Sequence, residues 1–181
     1  EHGATRIIVG LGGSASTDGG LGAIEAMGSP ARYRGIEILV ACDVNTRFVD
    51  SAKMFSPQKG ATRAEVEMLE RRLKRLVQIY EEKFGIDVSS LNHGGAAGGL
   101  AGGLAALGAR LVDVFDLVAY ELRLDEFIEK TDLVITGEGR IDQSSFDGKV
   151  VGGVSAYASA MRKPILAVAG QVEIEVRDRI Q

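Results

Sequence analysis

A segment rich in glycine and hydroxyl side chains near the start of the chain is its strongest chemical feature. Residues 10–20 read Gly-Leu-Gly-Gly-Ser-Ala-Ser-Thr-Asp-Gly-Gly, directly after a predicted strand and before a predicted helix. Glycines let the backbone approach a ligand and present successive N–H groups, and the N-terminus of a helix attracts anions. We predict a phosphate or carboxylate site formed by Gly12, Gly13, Ser14, Ser16, Thr17 and Gly19. A tight turn whose hydroxyls only cap the helix would show the same pattern.

This segment does not match the two commonest nucleotide-binding motifs. It lacks the Gly-Lys-Ser/Thr ending of a Walker A loop. It follows the dinucleotide-binding G-x-G-x-x-G pattern only loosely, because Ala15 stands at the third glycine position. An anion site in this segment would therefore differ in sequence from both of these motifs.

Two charged side chains follow in positions suited to catalysis. Asp43 ends an apolar predicted strand, and open α/β sheets bind ligands beyond the carboxyl ends of their strands. Its carboxylate can accept a hydroxyl proton or hold Mg²⁺, although a helix cap or a surface turn is an equally good interpretation. Lys59 lies in the loop Ser-Pro-Gln-Lys-Gly-Ala-Thr at 56–62. It can neutralise phosphate charge, or it can simply be solvated.

A second charged segment reads Thr-Gly-Glu-Gly-Arg-Ile-Asp over residues 136–142 and follows a predicted strand. Flanking glycines would expose the carboxylate of Glu138, and Asp142 is a further oxygen ligand for a cation. Arg140 can clamp a phosphate or carboxylate with two hydrogen bonds. The remaining phosphate-binding candidates are Gly137, Gly139 and Lys149. Structural glycines beside a local Glu–Arg pair are the alternative interpretation.

The elements that would position these residues alternate between strand and helix. Strands are predicted at 6–10, 36–42, 133–135 and 165–168, and helices at 17–27, 63–84, 112–122, 124–130 and 150–161. The first strand reads as buried, and the chain ends within what reads as a further helix. Alternation of this kind predicts an α/β fold with a largely parallel sheet and helices on both faces.

Two helical segments have distinctive sequences. The segment 63–84 begins with a capping box formed by Thr62 and Glu65, ends at Gly85, and carries its apolar residues on one face. Residues 94–108 contain only Gly, Ala and Leu, which is typical of a tightly packed helix. His93 precedes this segment, so its start could face an anion or merely pack closely.

Bulk composition restricts the partners of this chain. Its 181 residues are 45% hydrophobic and 25% charged, with a formal net charge of −4. No basic stripe is present, so nucleic acid is not an expected partner, and no run of about 20 apolar residues predicts a membrane span. The single cysteine, Cys42, fits a buried inert thiol in a reducing cytoplasm. Because the chain begins at Glu1 without methionine, we interpret it as a fragment.

Five segments together resemble one family. They are GLGGSASTDGG at 10–20, ACDV at 41–44, SPQKGAT at 56–62, GGAAGGLAGGL at 94–104 and VITGEGRIDQSSFDGK at 134–149. In this order they are similar to the glycerate kinases first known from bacterial glyoxylate and glucarate metabolism. The chain departs from that family at 45–48, where Asn-Thr-Arg-Phe replaces Asn-Pro-Leu and a glycine-rich turn. The stretch after Met27 is also shorter than in the family.

The resemblance implies an enzyme of two α/β domains with a cleft between them. It would use ATP and Mg²⁺ to convert D-glycerate to a phosphoglycerate, the 2-phospho product in bacterial members. Residues 1–130 would form a glycine-rich inserted domain, and 131–181 would belong to a Rossmann-like domain. The family's N-terminal and C-terminal portions have no counterpart here, and the oligomeric state, including a homo-oligomer, stays open.

The resemblance also suggests roles for the candidate residues in phosphoryl transfer. The loop 12–20 would hold the glycerate carboxylate or an ATP phosphate, and either Asp43 or Asp18 would accept the hydroxyl proton. Glu138 or Asp142 would place Mg²⁺, while Arg140 and Lys59 would offset phosphoryl charge. Two alternatives remain, namely a non-catalytic sensor of small organic acids and a kinase of another sugar acid.

Overall fold

The computed structural model describes residues 3–146, 149–173 and 176. The chain divides into two compact units, Glu1–Val112 and Asp113–Gln181, and each is described by itself. The assignment of 1–130 to an inserted domain and of 131–181 to a Rossmann-like domain stays a prediction. The helix predicted at the end of the chain lies outside the described residues.

The first unit contains a three-stranded sheet in the order β1-β2-β3. Its strands are β1 (Arg6–Gly10), β2 (Glu37–Cys42) and β3 (Arg110–Asp113), and β1 runs parallel to β2. The prediction of β1 and β2 is confirmed, whereas β3 was not predicted. β2 is buried as expected, but the prediction of a buried β1 is wrong. β1 is an edge strand, and both Ile7 and Ile8 are exposed among the described residues although they point to opposite faces.

Four helices accompany this sheet, namely α1 (Leu21–Met27), α2 (Ser51–Phe55), α3 (Arg63–Phe84) and α4 (Leu100–Ala106). α1 begins four residues later than the predicted start at residue 17. Gly19 and Gly20 have φ values of +67° and +76°. Because these left-handed conformations are incompatible with a right-handed helix, the helix begins only after them. α2 was not predicted.

The long helix α3 has the bounds and the ends that the sequence predicts. The Thr62 hydroxyl and the Glu65 carboxylate form the reciprocal capping box, and Gly85 ends the helix with a φ of +72°. Its apolar face contributes Leu73, Leu76 and Tyr80 to the main hydrophobic core, where Tyr80 is 1% exposed. Helix propensity, caps and an amphipathic face all favour the same structure here.

The glycine-rich segment 94–108 is not the single helix that its composition suggested. A short 3₁₀ turn at Ala96–Gly99 precedes α4, and Ala97, Gly98 and Gly99 all have positive φ. The expectation of close packing is confirmed, because a Cβ at Gly102 would lie 2.4 Å from the Phe48 ring. Such contacts are incompatible with any side chain larger than hydrogen.

The second unit pairs two parallel strands, β4 (Val134–Ile141) and β5 (Ile165–Val172). Among the described residues of this unit, three α-helices accompany them, namely α5 (Val114–Glu121), α6 (Leu124–Glu129) and α7 (Val150–Ala160). All three were predicted to within two residues at each end. Part of the core of this unit is formed by Ile128, Val134 and Ala158.

β4 extends well past its predicted end at residue 135. Glu138 lies opposite Ala169 and Arg140 opposite Gln171, so the Gly-Glu-Gly-Arg segment is a paired strand. The prediction that the strand ends at 135 and that a glycine-rich turn follows it is therefore wrong. β5 also extends beyond its predicted end at 168, because its pairing with β4 continues to Ile141 and Val172.

The predicted fold class is confirmed, since the chain is a mixed α/β structure whose strand pairs β1–β2 and β4–β5 are parallel. Within the described ranges, no helix combines the length and the apolar character needed to cross a bilayer.

Candidate anion-binding and carboxylate sites

A pocket of about 270 Å³ in the first unit brings together three segments singled out in the sequence. It collects the start of the loop 10–20, the residues after β2, and the loop that carries Lys59. Its lining residues are Leu11, Gly13, Ser14, Asp43, Val44, Phe55, Gln58, Lys59, Ala97 and Gly98. The structure thus places Ser14, Asp43 and Lys59 around one pocket.

Lys59 is bound to the loop rather than extended into solvent. Its Nζ donates to Ser14 Oγ at 2.9 Å, to the carbonyl oxygen of Ser16, and more weakly to Thr17 Oγ1 at 3.5 Å. The buried Ser56 hydroxyl donates to the same Thr17 oxygen at 3.2 Å. These contacts place one ammonium group beside the hydroxyls that were predicted to bind an anion.

The electrostatic state of Lys59 follows from its surroundings. Partial burial lowers the pKa of the Lys59 ammonium, and the negative charge of Asp18 opposes part of that change. A partly desolvated cation interacts more strongly with an anion than a fully hydrated one does.

Asp43 lies at the mouth of the same pocket, immediately after β2. The backbone that follows it is fixed from the glycine-rich segment, because His93 Nδ1 donates to the Val44 carbonyl at 2.8 Å. The Gly95 N–H likewise donates to the Thr46 carbonyl at 2.8 Å. His93 thus holds the segment after β2, which differs from the anion-facing role considered for the start of 94–108.

The end of the loop 10–20 is engaged internally, contrary to the prediction that it binds an anion. The Gly19 N–H donates to the Gly98 carbonyl at 3.0 Å, and the Gly20 N–H donates to Asp18 Oδ1 at 3.0 Å. Leu21 N–H is also occupied, by the Asp18 carbonyl. Gly19 is buried and unavailable to a ligand here, and α1 is short, so the expected anion site at a helix N-terminus is not what the structure shows.

Asp18 and Asp43, the two candidates for the general base, lie in different surroundings. Asp43 lines the pocket with Lys59, whereas Asp18 lines a separate, mostly apolar pocket beside Leu73 and Leu76. Because the Asp18 carboxylate also accepts the Gly20 N–H, it acts as a local turn-stabilising group. Of these two aspartates, Asp43 is the one that lines the same pocket as Lys59.

The remaining residues of the predicted loop fall into two groups. A Cβ at Gly12 or Gly13 would meet no other atom within 4 Å, and Gly13 lines the pocket. Thr17 instead lines a neighbouring pocket of about 300 Å³ that it shares with Lys59. The first part of the loop is thus open to a ligand, and the part at 16–17 holds Lys59.

Gly98 was not predicted as a site residue, although the loop conformation depends on it. A Cβ at this position would lie 2.1 Å from the Ser16 carbonyl oxygen, and its φ is +66°. Ala97 and Gly98 line the pocket directly. The sequence signal is the repeated glycine pair in 94–99, for which the sequence left open both an anion-facing helix start and close helix packing.

In the second unit, two serines join the predicted carboxylates. The fully buried Ser145 donates its hydroxyl to Glu138 Oε1 and accepts the Asp142 N–H at 3.1 Å. Asp142 Oδ1 accepts the Ser144 N–H at 2.8 Å. Lys149 Nζ donates to Ser144 Oγ at 2.6 Å. Both serines lie within the quoted motif, but nothing in their spacing distinguished them as part of the site.

Arg140 is paired with carboxylates rather than free to clamp a phosphate. Its guanidinium forms an ion pair with Glu173, and its Nε lies 3.9 Å from Asp142 Oδ2. The hydrogen bond and charge of Glu173 raise the pKa of Arg140. The hydroxyl of Ser144 is the main cause that lowers the pKa of Asp142, so this carboxylate stays ionised. A local Arg–Glu pair was the alternative interpretation, although the partner is Glu173 and not Glu138.

The glycines around Glu138 differ from each other in their surroundings. A Cβ at Gly137 would lie 2.4 Å from the Val168 carbonyl oxygen, so this glycine serves the approach of β5. A Cβ at Gly139 would meet nothing within 4 Å. The space beside Gly139 would therefore allow a ligand to approach the backbone, whereas the space beside Gly137 is occupied by β5.

Glu138 and Asp142 provide donors of the kind that Mg²⁺ prefers. Carboxylate oxygens fit this ion, which is commonly bound through one or two carboxylates together with phosphate oxygens and water. No group of three or more metal-ligating side chains occurs among the residues described. The donor set fits a cation held jointly with a phosphate-bearing substrate better than an all-protein metal cage.

The fold and these groups define an α/β protein with a pocket lined by a lysine, a serine hydroxyl and an aspartate carboxylate. The model of the glycerate kinase family matches residues 1–32 and 28–181. The chain belongs to the glycerate kinase family, as its five motifs indicated.

Individual relatives agree with this assignment. The chain is 36% identical to the glycerate 2-kinase of Escherichia coli K12, over 97% of this chain and 55% of that protein. It is 36% identical to a glycerate kinase of Halalkalibacterium halodurans, over 95% of this chain and 54% of that protein. A Salmonella typhimurium LT2 protein, solved by crystallography as a candidate glycerate kinase 2, superposes with a TM-score of 0.77 at 33% identity. That match covers 94% of this chain and 56% of the other.

Two features of these matches concern length. The chain spans about half the length of the curated relatives it matches. The E. coli alignment extends over 208 positions although the chain has 181 residues, so that relative has residues without counterparts here. The family match is also split near 28–32, where the sequence predicted a shortened connection and the structure has a short 3₁₀ turn at Pro30–Tyr33.

Replacing Gly98 by alanine tests the close approach to the loop. Gly108→Ala is the matched control, because its φ is also positive but a Cβ there would meet nothing within 4 Å. We expect Gly108→Ala to cost about 1–2 kcal/mol from backbone strain, and Gly98→Ala to cost about 2 kcal/mol more because Ser16 must move. Denaturant unfolding of the full-length protein measures both. Equal losses in the two variants would show that the contact with Ser16 is unimportant.

Proposed function

We propose that the full-length protein is an ATP-dependent kinase that phosphorylates D-glycerate, giving 2-phosphoglycerate in the cytoplasm. The observation that carries this proposal is the pocket of about 270 Å³ in which Asp43 and Lys59 lie together with Gly13 and Ser14. A proton acceptor and an anion-binding group in one space are what phosphorylation of a hydroxy acid requires. Relatives named as glycerate kinases support the substrate.

The anion site works against the overall charge of the chain. With a net charge of −4, the long-range field does not attract glycerate or ATP. Attraction therefore comes from the Lys59 ammonium, the Ser14 hydroxyl and the exposed backbone at Gly13. The site would hold either the glycerate carboxylate or an ATP phosphate, and both are met by the same donors.

In the proposed reaction, a hydroxyl oxygen of glycerate attacks the γ-phosphorus of ATP. The bond from that phosphorus to the β–γ bridging oxygen breaks, ADP leaves, and the hydroxyl proton passes to the Asp43 carboxylate. Lys59 offsets negative charge on the transferring group. Positioning and charge balance provide most of the catalysis in such transfers.

Within the second unit, Glu138 and Asp142 are the proposed magnesium ligands. When bound, Mg²⁺ neutralises phosphate charge and orients the phosphate oxygens. Ser145 orients the Glu138 carboxylate and the backbone at Asp142 through its two hydrogen bonds. Because Arg140 is held by Glu173, we assign it to the support of Asp142 rather than to phosphate binding. Lys149 remains the proposed phosphate contact of this unit.

The same proposal includes the domain assignment that the resemblance implies. Residues 1–130 would belong to an inserted α/β domain and 131–181 to a Rossmann-like one. The compact units divide at 112/113 instead, which groups α5 and α6 with β4.

An ADP-release assay on the full-length protein tests the proposed reaction. We expect ADP formation that depends on D-glycerate and on Mg²⁺, because the family and the pocket both indicate a hydroxy-acid kinase. A coupled assay with and without D-glycerate measures it, and phosphorus NMR of the product distinguishes the 2-phospho from the 3-phospho isomer. Glycerate binding without turnover would instead support the sensor. ADP release with a different acid only would support a kinase of that acid.

Asp43→Asn tests the proton acceptor. The amide cannot take the hydroxyl proton, so we expect kcat to fall about 100-fold or more while the fold is retained. Asp50→Asn is the control, because Asp50 is an exposed aspartate at the start of α2 whose side chain makes no capping hydrogen bond. Near-normal turnover of Asp43→Asn would remove Asp43 from this role.

Lys59→Met tests the cation of the pocket, with Lys53→Met as the exposed control. We expect kcat/KM to fall about 100-fold in the first variant only, because it loses the charge that faces the anion. Since burial lowers the pKa of Lys59, activity should decline as pH rises through that lowered value and the ammonium loses its charge. In Lys59→Arg the charge persists, so the same decline should move to higher pH. An unchanged alkaline profile would contradict this assignment.

A further inference from the structure

The buried side chain of Tyr80 binds the loop 10–20 from a distant part of the chain. Tyr80 lies on α3, is 1% exposed, and donates its hydroxyl to the Gly19 carbonyl at 3.0 Å. Its side chain lines none of the three pockets of the first unit described above, and the sequence marks it only as part of the apolar face of α3. The hydroxyl of its side chain is nevertheless directed at the end of the loop 10–20.

Gly19 is held on both sides of its Cα. Its carbonyl accepts the Tyr80 hydroxyl, and its N–H donates to the Gly98 carbonyl at 3.0 Å. Gly98 in turn packs against Ser16, whose carbonyl accepts from Lys59. A short series of contacts thus runs from Tyr80 to the ammonium of the pocket.

The Tyr80 ring itself has little freedom to move. It packs edge-on against Phe48 at a centroid distance of 6.1 Å and against Phe84 at 6.0 Å. Burial, assisted by the negative charges of Asp18 and Glu25, raises the pKa of Tyr80 to about 12. The hydroxyl therefore keeps its proton at any pH well below 12 and can donate to the Gly19 carbonyl throughout that range.

The loop needs a contact that fixes its backbone, because its glycines allow many backbone conformations. Gly12 and Gly13 are exposed with open space around them, and glycine restricts the backbone less than any other residue. β1 holds one end of the loop, and Gly19 is the first residue of the other end that is buried. The position of Ser14 between these ends depends on both.

We propose that Tyr80 is a positioning residue for anion binding. Its hydroxyl fixes Gly19, so that Ser14 and Lys59 face the ligand together. This inference rests on the proposed function for the identity of the anion, and it adds a residue of the core to the determinants of that site.

Tyr80→Phe in the full-length enzyme removes the hydroxyl and retains the ring. Tyr33→Phe is the matched control, because Tyr33 also donates to a backbone carbonyl, that of Met27, at 3.0 Å in the same unit. We expect Tyr80→Phe to raise the KM of one anionic substrate, D-glycerate or ATP, about tenfold. We expect kcat and the other KM to stay within about twofold. The substrate affected is then the one that the loop holds.

This division between KM and kcat separates positioning from a loss of structure. A variant that is merely less stable has fewer active molecules, which lowers the apparent kcat and leaves KM unchanged. Unchanged KM values in Tyr80→Phe, or changes equal to those of Tyr33→Phe, would overturn the proposal.

A binding measurement keeps the inference distinct from the proposed reaction. Calorimetric titration with inorganic phosphate should give about tenfold weaker binding to Tyr80→Phe than to the wild type and to Tyr33→Phe. If the wild type releases no ADP but shows this difference, the kinase proposal fails and the positioning role stands. If the three proteins bind phosphate equally and their KM values agree, the positioning role fails.

Discussion

The first unit depends on a close contact between two backbone segments, which Gly98 and Gly99 permit because they have no side chains. Gly98 lies so close to Ser16 that a Cβ would be 2.1 Å from its carbonyl, and a Cβ at Gly99 would be 2.8 Å from the Cα of Gly19. This contact permits the hydrogen bond from Gly19 to Gly98 and orders the loop against the turn before α4. Without this contact, the groups that line the pocket would not be held in fixed positions relative to one another.

Once the loop is ordered in this way, Lys59 can place its ammonium group among the oxygen atoms of the loop. Lys59 contacts Ser14 and Thr17 as well as the Ser16 carbonyl, so its ammonium is shared between the loop and any ligand in the pocket. The chain as a whole is acidic, so only a local positive charge can attract an anion. Partial desolvation of the Lys59 ammonium strengthens that attraction. Asp43 is a candidate for the site only because the fold places it in the same pocket as Lys59 and Ser14.

The second unit follows a different principle, in which a regular strand carries the charged groups. Alternate residues of β4 project to the same side, and a buried serine, Ser145, connects Glu138 with the backbone of Asp142. Glu173 neutralises Arg140 from the end of β5. The carboxylates are thus oriented by hydrogen bonds before any ligand arrives, which reduces the reorganisation that binding would require.

The sequence alone determined the features that depend on neighbours close along the chain. The capping box at Thr62, the stop at Gly85 and the apolar face of α3 are local, as are the motifs that indicate the glycerate kinase family. It also indicated Ser14, Asp43 and Lys59 as chemical groups, since residue types at strand ends and in glycine-rich loops carry that information.

Only the tertiary structure decided where those groups lie and which residues they contact. It extended β4 through the Gly-Glu-Gly-Arg segment, separated Asp18 from Asp43, and buried the Gly19 amide against Gly98. It also brought Tyr80 to Gly19 across 61 positions of sequence. Strand pairing and close approach of backbones depend on partners far away in the chain, and no local propensity specifies which partner will be present.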